Sequence, residues 1–332
     1  MEIVPAAVTR ALRIVLPGGS GQVGQMLARH FQERGHHVTV LTRGPYTAPW
    51  QTVHWDGKHT GPWIETLEGA DVCINLAGRS VNCRYNATNR AAIYNSRIGT
   101  TRLLHYAIAR LENPPWVWLN ASTATIYRHA LDREMDEATG ELGGNELISK
   151  RRRAPETWDF SIRVAKDWEA AFFATETPRT RKVALRSAIT LSPTPGNAFQ
   201  IFLNLVRLSL GGKQGNGRQY VSWIHEADFA RAVEFLIEHE ELDGPVNLAA
   251  PHPLPNREFM EALREAWGMP NGLPIPSLAM EIGAFFLRTE PELVLKSRCV
   301  VPGRLLDAGF QFEFPEWPEA AEDLVRQWRN RE

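Results

Sequence analysis

Short hydrophobic runs alternate with longer amphipathic segments through the first 190 residues of the chain. The apolar and β-branched runs predict strands at residues 13–16, 37–42, 51–55, 71–76, 116–120 and 182–186. The segments between them predict helices at 25–34, 99–111 and 163–173. Strands separated by segments of helix length are typical of βαβ units, which build a mostly parallel sheet covered by helices on both faces. The pattern therefore predicts a doubly wound α/β fold.

The pattern changes after about residue 190. Glycines and prolines interrupt the chain repeatedly there, around one helix-like stretch at 198–210. We expect residues 12–190 to form the sheet domain, completed by residues 218–250. Residues 191–217 and 251–330 are expected to form a smaller, partly helical region on the substrate side.

The composition excludes several classes of protein. The 332 residues carry 37 basic and 38 acidic side chains, with 43% hydrophobic residues and a mean hydropathy of −0.29. These values argue against a disordered, collagen-like or membrane-embedded chain, and the net charge of −1 gives no reason to expect nucleic acid as a partner. Three cysteines without a CxxC pair predict neither a disulfide framework nor a metal site. We expect a cytoplasmic protein that takes a small-molecule substrate and binds neither nucleic acid nor membrane. A homodimer is compatible with the sequence.

Three regularly spaced glycines lie where the first predicted strand passes into the first predicted helix. In Gly18-x-x-Gly21-x-x-Gly24 the spacing suits a tight turn, a close approach of the backbone to a pyrophosphate, and close packing of helix on strand. The strand before this turn and the helix after it favour dinucleotide binding over a merely structural turn. The predicted pyrophosphate-binding residues are Gly18, Gly19, Ser20, Gly21, Gln22, Val23 and Gly24.

The end of the second predicted strand indicates which dinucleotide is bound. NAD-selective sites place an acidic residue there, which accepts hydrogen bonds from the ribose hydroxyls. This chain has Thr42 and Arg43 instead. No carboxylate repels a 2′-phosphate, and the Arg43 guanidinium is able to pair with one. We therefore predict NADP in preference to NAD, with an exposed loop arginine of no special role as the alternative.

Several motifs together resemble a known family. Asn75-Leu76-Ala77-Gly78 and Ser122-Thr123-x-x-x-Tyr127 resemble extended short-chain dehydrogenases/reductases. Narrower motifs at residues 95–101, 217–225, 244–247 and 302–310 resemble the atypical epimerase-family members of that group. In those proteins the C-terminal part is a domain of unknown function of the DUF1731 type. The likeness covers nearly the whole chain from about residue 12.

The resemblance implies a Rossmann-type NADP-binding domain and assigns further residues. Leu76, Ala77 and Gly78 would line the adenosine and ribose side of the cofactor. Ala121 and Ser122 would approach the nicotinamide end. Thr123 occupies the position at which the family places a Ser or Thr to orient a substrate carbonyl, although a hydroxyl at a strand end also commonly satisfies a local backbone group.

The usual catalytic tyrosine and lysine of that family are missing. No tyrosine in the chain is followed four residues later by lysine, and no tyrosine stands between Tyr127 and Tyr220. If Lys166 held the lysine position, Ile162 would stand where the phenol belongs. Tyr127 is the first alternative as a proton donor, with packing as its other role. The other candidates for this role are Asp136, Glu137 and His225.

Two hypotheses of different classes follow. The chain is either an oxidoreductase or epimerase whose proton transfer uses another group, or a non-catalytic NADP-binding sensor or scaffold. The absence of the tyrosine and lysine favours the sensor, while the glycine turn and Thr123 suit both. Residues expected near a substrate pocket are Arg84, Tyr85, Arg97, Tyr220 and Trp223.

Overall fold

A computed structural model describes residues 10–144, 147–149, 152–277, 279 and 292–331. Its strands are β1 (Arg13–Pro17), β2 (His37–Thr42), β3 (Gln51–His54), β4 (Val72–Asn75), β5 (Val117–Thr123), β6 (Leu147–Ser149), β7 (Arg152–Arg153), β8 (Arg181–Ser187), β9 (Ile189–Leu191), β10 (Tyr220–Val221), β11 (Trp223–His225), β12 (Gly244–Leu248) and β13 (Leu254–Pro255). Its α-helices are α1 (Gln22–Glu33), α2 (Ala87–Ile108), α3 (Glu156–Phe173), α4 (Ala198–Arg207), α5 (Glu226–Glu238), α6 (Asn256–Trp267), α7 (Glu292–Leu295), α8 (Gly303–Asp307) and α9 (Trp317–Arg329).

Seven parallel strands form the central sheet, in the order β12-β8-β5-β4-β1-β2-β3. The strand order runs outward in both directions from β1 and β4, which confirms the predicted doubly wound, Rossmann-type architecture. In such sheets a crevice opens beyond the carboxyl ends of the strands at the point where the order reverses. The turn after β1 and the loop after β4 lie at that point.

Helices cover both faces of the sheet with apolar side chains. One face packs against α1 and α5, with Phe31 and Phe229 almost fully buried. The other face packs against α2 and α3, where the Trp118 ring meets Phe172 edge-on at a centroid distance of 4.7 Å. Burial on both faces explains why the strands read as continuous hydrophobic runs instead of alternating ones.

A second core lies beyond the sheet and joins α4, α6 and α9. At its centre Trp317 stacks on Phe259 with a centroid distance of 4.1 Å, and the Trp317 ring meets Trp223 edge-on. This core includes chain from both segments that the sequence assigns to the smaller region, although the domain boundaries themselves stay predictions. Within the described ranges, the helices are too short or too polar to cross a bilayer.

Several elements differ from the sequence prediction, among them α3, which begins at Glu156, seven residues before the predicted start. The first helix begins at Gln22, three residues earlier than predicted, and α2 begins at Ala87, twelve residues before the predicted start. Asn86 caps α2, because its side chain accepts a hydrogen bond from the Asn89 backbone N–H. Strand β12, the last strand of the central sheet along the chain, was not predicted. It contains Gly244 and Pro245, which disfavour strands, and the sheet tolerates these residues because β12 lies at its edge.

Candidate functional site

The turn between β1 and α1 is held by backbone contacts that only glycine permits. Gly18 has a φ of +76°, and a Cβ atom there would lie 2.7 Å from the backbone nitrogen and Cα of Ala77. A Cβ atom on Gly24 would collide with the backbone of Gly19. The first turn of the helix therefore passes directly against the loop, as close packing of helix on strand requires.

The amino-terminal end of α1 is open to an anionic ligand. No side chain caps the helix at Gly21, and its first turn carries no acidic residue. Gly21 is exposed, and a Cβ atom there would meet only the Gly18 carbonyl oxygen, at 3.7 Å. Unpaired N–H groups and the positive end of the helix dipole suit a pyrophosphate. The geometry of residues 18–24 thus fits the predicted dinucleotide.

At the end of β2, Thr42 is buried and Arg43 is exposed. The Thr42 hydroxyl donates to the Ser20 hydroxyl over 3.1 Å, which ties the strand end to the glycine turn. The Arg43 guanidinium is accessible to a ligand that lies along the turn.

A cavity of about 500 Å³ extends beyond the carboxyl ends of β4, β5 and β8. Eight residues predicted from the sequence line it: Val23, Leu76, Gly78, Tyr85, Arg97, Ala121, Ser122 and Thr123. Ala77 is buried behind the Gly18 turn. The Thr123 hydroxyl oxygen accepts a hydrogen bond from the Thr125 backbone N–H over 3.2 Å, so it has a local structural partner as well as a place on the cavity wall.

A buried ion pair fixes the floor beneath β5. The Arg186 guanidinium binds both carboxylate oxygens of Glu169, at 2.9 and 2.8 Å. Ser122 donates its hydroxyl to the same carboxylate over 2.5 Å. Hydrogen bonds from Arg186 and Ser122 satisfy Glu169 inside the protein, and they set the rotamer of Ser122.

Tyr127 belongs to this buried network and does not face the cavity. Its ring is 1% exposed, its hydroxyl donates to the Asn247 side-chain oxygen over 2.9 Å, and Arg186 donates to the hydroxyl over 2.8 Å. Burial raises the pKa of the Tyr127 phenol. The expectation that Tyr127 reaches a nicotinamide pocket is therefore corrected, because both hydrogen-bonding directions of its hydroxyl are used in the core.

The other acid/base candidates also have structural partners away from the cavity. The Asp136 carboxylate accepts backbone N–H groups of the turn at residues 138 and 139. The Glu137 carboxylate accepts the Asn247 backbone N–H over 2.7 Å. His225 caps α5 and contacts Asp323, with 1% exposure. Trp223 lies in the second core. Arg84 and Tyr220 also lie outside the cavity lining.

Helix α3 presents neither tyrosine nor lysine to the cavity. The α3 residues that line it are Phe160, Ser161, Val164, Ala165 and Trp168. Ser161 and Ala165 form a pair at i and i+4 on this face, the spacing that a tyrosine and lysine pair requires. Lys166 is exposed and Ile162 is buried, and neither lines the cavity. Of the pair that the sequence analysis considered, neither Ile162 nor Lys166 therefore reaches the cavity.

Four polar side chains from distant parts of the chain meet at the cavity wall: Tyr85, Ser161, Glu292 and Arg298. The Ser161 hydroxyl donates to the Glu292 carboxylate over 2.6 Å and lies 3.5 Å from the Tyr85 hydroxyl. Arg298 lies 3.7 Å from the same carboxylate and donates to the Thr125 hydroxyl over 3.3 Å. Sequence analysis identified Tyr85 alone of this cluster, since no local motif marks Ser161, Glu292 or Arg298.

Arg97 contributes a partly buried positive charge to the cavity. Its guanidinium donates to the backbone oxygens of Arg79 and Ile93 and lies 5.1 Å from the centroid of the Trp168 ring. Burial lowers the pKa of Arg97 to about 10. Of the carboxylates in the described residues, none pairs with it. A guanidinium in this setting suits an anionic or electron-rich ligand group.

A histidine behind the cavity makes stability depend on pH. The His129 imidazole accepts the Ser297 backbone N–H over 3.0 Å, which requires a neutral ring nitrogen. Burial, together with the charges of Lys296 and Arg298, lowers the pKa of His129 to about 4 from an ordinary value of 6.5.

Because the unfolded chain binds this proton more readily, the free energy of unfolding should fall as the pH drops from about 6.5 towards 4, by up to about 1 kcal/mol per pH unit. Urea unfolding of the wild type and His129→Gln at about pH 7.5 and about pH 5 measures the effect. The variant should lose less stability than the wild type on acidification. Equal losses in both proteins would show that His129 does not contribute.

Family profiles match two parts of the chain. The profile described as the NAD dependent epimerase/dehydratase family matches residues 14–149, and a domain of unknown function, DUF1731, matches residues 275–324. The second profile covers Glu292 and Arg298, so one wall of the cavity comes from that domain.

Whole proteins match over nearly their full length. The mouse epimerase family protein SDR39U1 is 33% identical over 320 residues, which is 95% of this chain and 100% of that protein. The human SDR39U1 is 31% identical over 319 residues, with the same coverage of both chains. A Staphylococcus epidermidis epimerase family protein is 29% identical over 95% of this chain and 99% of its own length.

Solved structures agree with the fold. The crystal structure of human SDR39U1, determined with NADPH, has a TM-score of 0.81 and 30% identity over 95% of this chain and 99% of that one. The UDP-glucose 4-epimerase of Thermus thermophilus has a TM-score of 0.70 at 15% identity, over 96% of this chain and 99% of that one, and shows the fold alone.

Proposed function

The chain belongs to the epimerase family of extended short-chain dehydrogenases/reductases, and from this premise we propose that it binds NADP(H) and acts as an oxidoreductase or epimerase on a small substrate. The observation that carries the proposal is the continuity of the site. The glycine turn, the open amino terminus of α1 and a cavity of about 500 Å³ adjoin one another along the carboxyl ends of the strands. This volume suits a nicotinamide together with a small substrate.

Residues 18–24 would hold the pyrophosphate, with Gly21 left open for the approach of a phosphate. Leu76, Ala77 and Gly78 would lie along the adenosine and ribose side. Ala121 and Ser122 would lie at the nicotinamide end. When bound, the nicotinamide supplies or accepts a hydride, and the protein provides position and proton transfer. Thr123 orients the substrate oxygen from the end of β5.

A preference for NADP is supported by the residues at the end of β2. The exposed Arg43 guanidinium stands where NAD-selective proteins carry a carboxylate. Human SDR39U1, which was crystallised with NADPH, is similar over nearly the whole chain. A sensor without turnover is the second candidate. The observation that favours it is that the α3 residues lining the cavity include neither a tyrosine nor a lysine.

Titration of the purified protein with NADPH and NADH, followed by energy transfer from tryptophan to the nicotinamide, tests the proposal. NADPH should bind at least about tenfold more tightly than NADH, because Arg43 pairs with the 2′-phosphate. Arg43→Ala should remove most of this difference, because it lowers the affinity for NADPH and leaves the affinity for NADH unchanged.

Arg110→Ala is the matched control, since that arginine lies just after α2 with its guanidinium over the Tyr106 ring. It should bind both dinucleotides as the wild type does. If neither dinucleotide bound to the wild type, the proposed function would be wrong.

A further inference from the structure

We propose that Tyr85 is the proton-transferring residue of this site and that Ser161 and Glu292 form a relay behind it, which together replace the missing tyrosine and lysine pair. The inference rests on the proposed NADP(H) function and adds to it the residues that move the proton. It assigns to the substrate a secondary alcohol or the corresponding carbonyl group.

The three side chains come from separate parts of the fold and meet at one wall of the cavity. Tyr85 precedes α2, Ser161 lies on the cavity face of α3, and Glu292 begins α7. The Tyr85 ring packs edge-on against Phe160 at a centroid distance of 5.2 Å, which holds the phenol beside Ser161. Their hydroxyl oxygens are 3.5 Å apart, the outer limit of a hydrogen bond, and such contacts commonly shorten when a substrate binds.

Glu292 is placed to receive a proton from the relay. It is 2% exposed, and its carboxylate accepts the Ser161 hydroxyl over 2.6 Å. Arg298 lies 3.7 Å away and supplies positive charge beside it, while the Lys296 ammonium donates to the Thr125 backbone oxygen. The relay therefore connects the cavity surface to a buried acid in the DUF1731 region.

The charges around Tyr85 oppose each other. Burial, with the Glu292 carboxylate next, raises the pKa of the Tyr85 phenol to about 12, while the hydrogen bond with Ser161 and the Arg97 guanidinium act to lower it. Arg97 thus supplies the cation that a lysine supplies in ordinary family members. A neutral phenol at physiological pH is suited to donate or pass on a proton as charge develops on the substrate oxygen.

The step balances without a further reactant. In the direction of oxidation, the substrate O–H proton moves to the Tyr85 oxygen as the Tyr85 proton moves to Ser161 and the Ser161 proton moves to Glu292. The electrons of the substrate C–H bond leave as the hydride that oxidised nicotinamide accepts. A carbonyl compound and a protonated Glu292 result, and reduction follows the same path in reverse.

The first experiment needs no substrate. The protein is labelled with 3-fluorotyrosine, and the fluorine resonance of Tyr85 is identified by its loss in Tyr85→Phe. Its titration midpoint should fall in Glu292→Gln, since a negative charge is removed, and rise in Arg97→Met. Identical midpoints in all three proteins would overturn the relay.

The second experiment measures reduction of 4-nitrobenzaldehyde and 9,10-phenanthrenequinone with NADPH under anaerobic conditions. Tyr85→Phe should lower kcat at least about a hundredfold and Ser161→Ala about tenfold, with NADPH affinity unchanged. Tyr94→Phe is the matched control and should retain wild-type kcat, because Tyr94 lines a separate cavity between α2 and α3. In the wild type kcat for reduction should decline as the pH rises, because the reverse step takes its proton from protonated Glu292. In Glu292→Gln this decline should be absent, because the carboxyl group is gone.

The outcomes separate the two proposals. A wild type that binds NADPH but reduces neither probe, or a Tyr85→Phe variant with wild-type kcat, would overturn the relay and leave the cofactor assignment intact. Loss of NADPH binding in the wild type would instead overturn the proposed function. Rescue of the pH dependence by Glu292→Asp would support the carboxyl group as the end of the relay.

Discussion

Replacing Gly18 or Gly24 with alanine should strongly weaken NADPH binding and also destabilise the fold. An alanine at position 18 must adopt a φ of +76° and place its methyl group 2.7 Å from the Ala77 backbone. At position 24 the methyl group would force α1 away from Gly19. Strain and overpacking of this kind should lower the free energy of unfolding by roughly 2 kcal/mol or more. The displaced helix end should lower the affinity for NADPH at least about a hundredfold. Thermal unfolding and the tryptophan titration measure both effects.

Two other glycines provide controls for this prediction. Gly21→Ala should unfold as the wild type does, because its methyl group meets only the Gly18 carbonyl oxygen at ordinary contact distance, yet it should weaken NADPH by blocking the approach of the pyrophosphate. Gly44→Ala should change neither property, since nothing lies within 4 Å of a Cβ atom there. If Gly18→Ala and Gly44→Ala behaved alike, the argument for a tight glycine turn would fail.

Glu169→Gln should lower the free energy of unfolding by about 3 to 5 kcal/mol, because it leaves the buried Arg186 guanidinium without its counter-charge. The two side chains are only 10% and 8% exposed, and the pair also holds Ser122 and Tyr127. Urea unfolding measures the loss. The double variant Glu169→Met with Arg186→Met should recover much of it, because two apolar side chains of similar size leave no buried charge.

An exposed ion pair gives the comparison. Asp132→Asn removes one of two carboxylates that pair with Arg128 on the surface, where the Asp132 side chain is 62% exposed and Glu141 is the other partner. Such pairs contribute at most about 1 kcal/mol, since water screens them. Because the Glu169–Arg186 pair is buried, Glu169→Gln should lower the free energy of unfolding much more than Asp132→Asn does. Equal losses would contradict this prediction.

The predictions from sequence succeeded where the signal is local. Buried parallel strands require continuous apolar runs, so the six predicted strands were found. The Gly18 turn was recognised because a tight strand-to-helix turn that binds a pyrophosphate needs glycines three residues apart, as at positions 18, 21 and 24. The strand at 244–248 was missed as an element because Gly244 and Pro245 conceal a strand whose pairing with β8 lies about 60 residues away in the chain.

The site was harder to predict because its members converge from distant segments. Tyr127 follows β5 at a position that suits a cavity residue, but its orientation is decided by Arg186 and Asn247, which lie 59 and 120 residues away. Glu292 reaches Ser161 across 131 residues. No spacing rule within one segment identifies such pairs, whereas the missing tyrosine and lysine were readable because their motif is local.

The most direct test of the central claim is a crystal structure of the protein with NADPH. The account predicts the pyrophosphate on residues 18–24, the 2′-phosphate against Arg43, and the nicotinamide inside the cavity between Thr123 and the cluster of Tyr85, Ser161 and Glu292. A nicotinamide that lies outside this cavity, or a cavity filled by the protein's own side chains in the complex, would contradict it and favour a sensor without turnover.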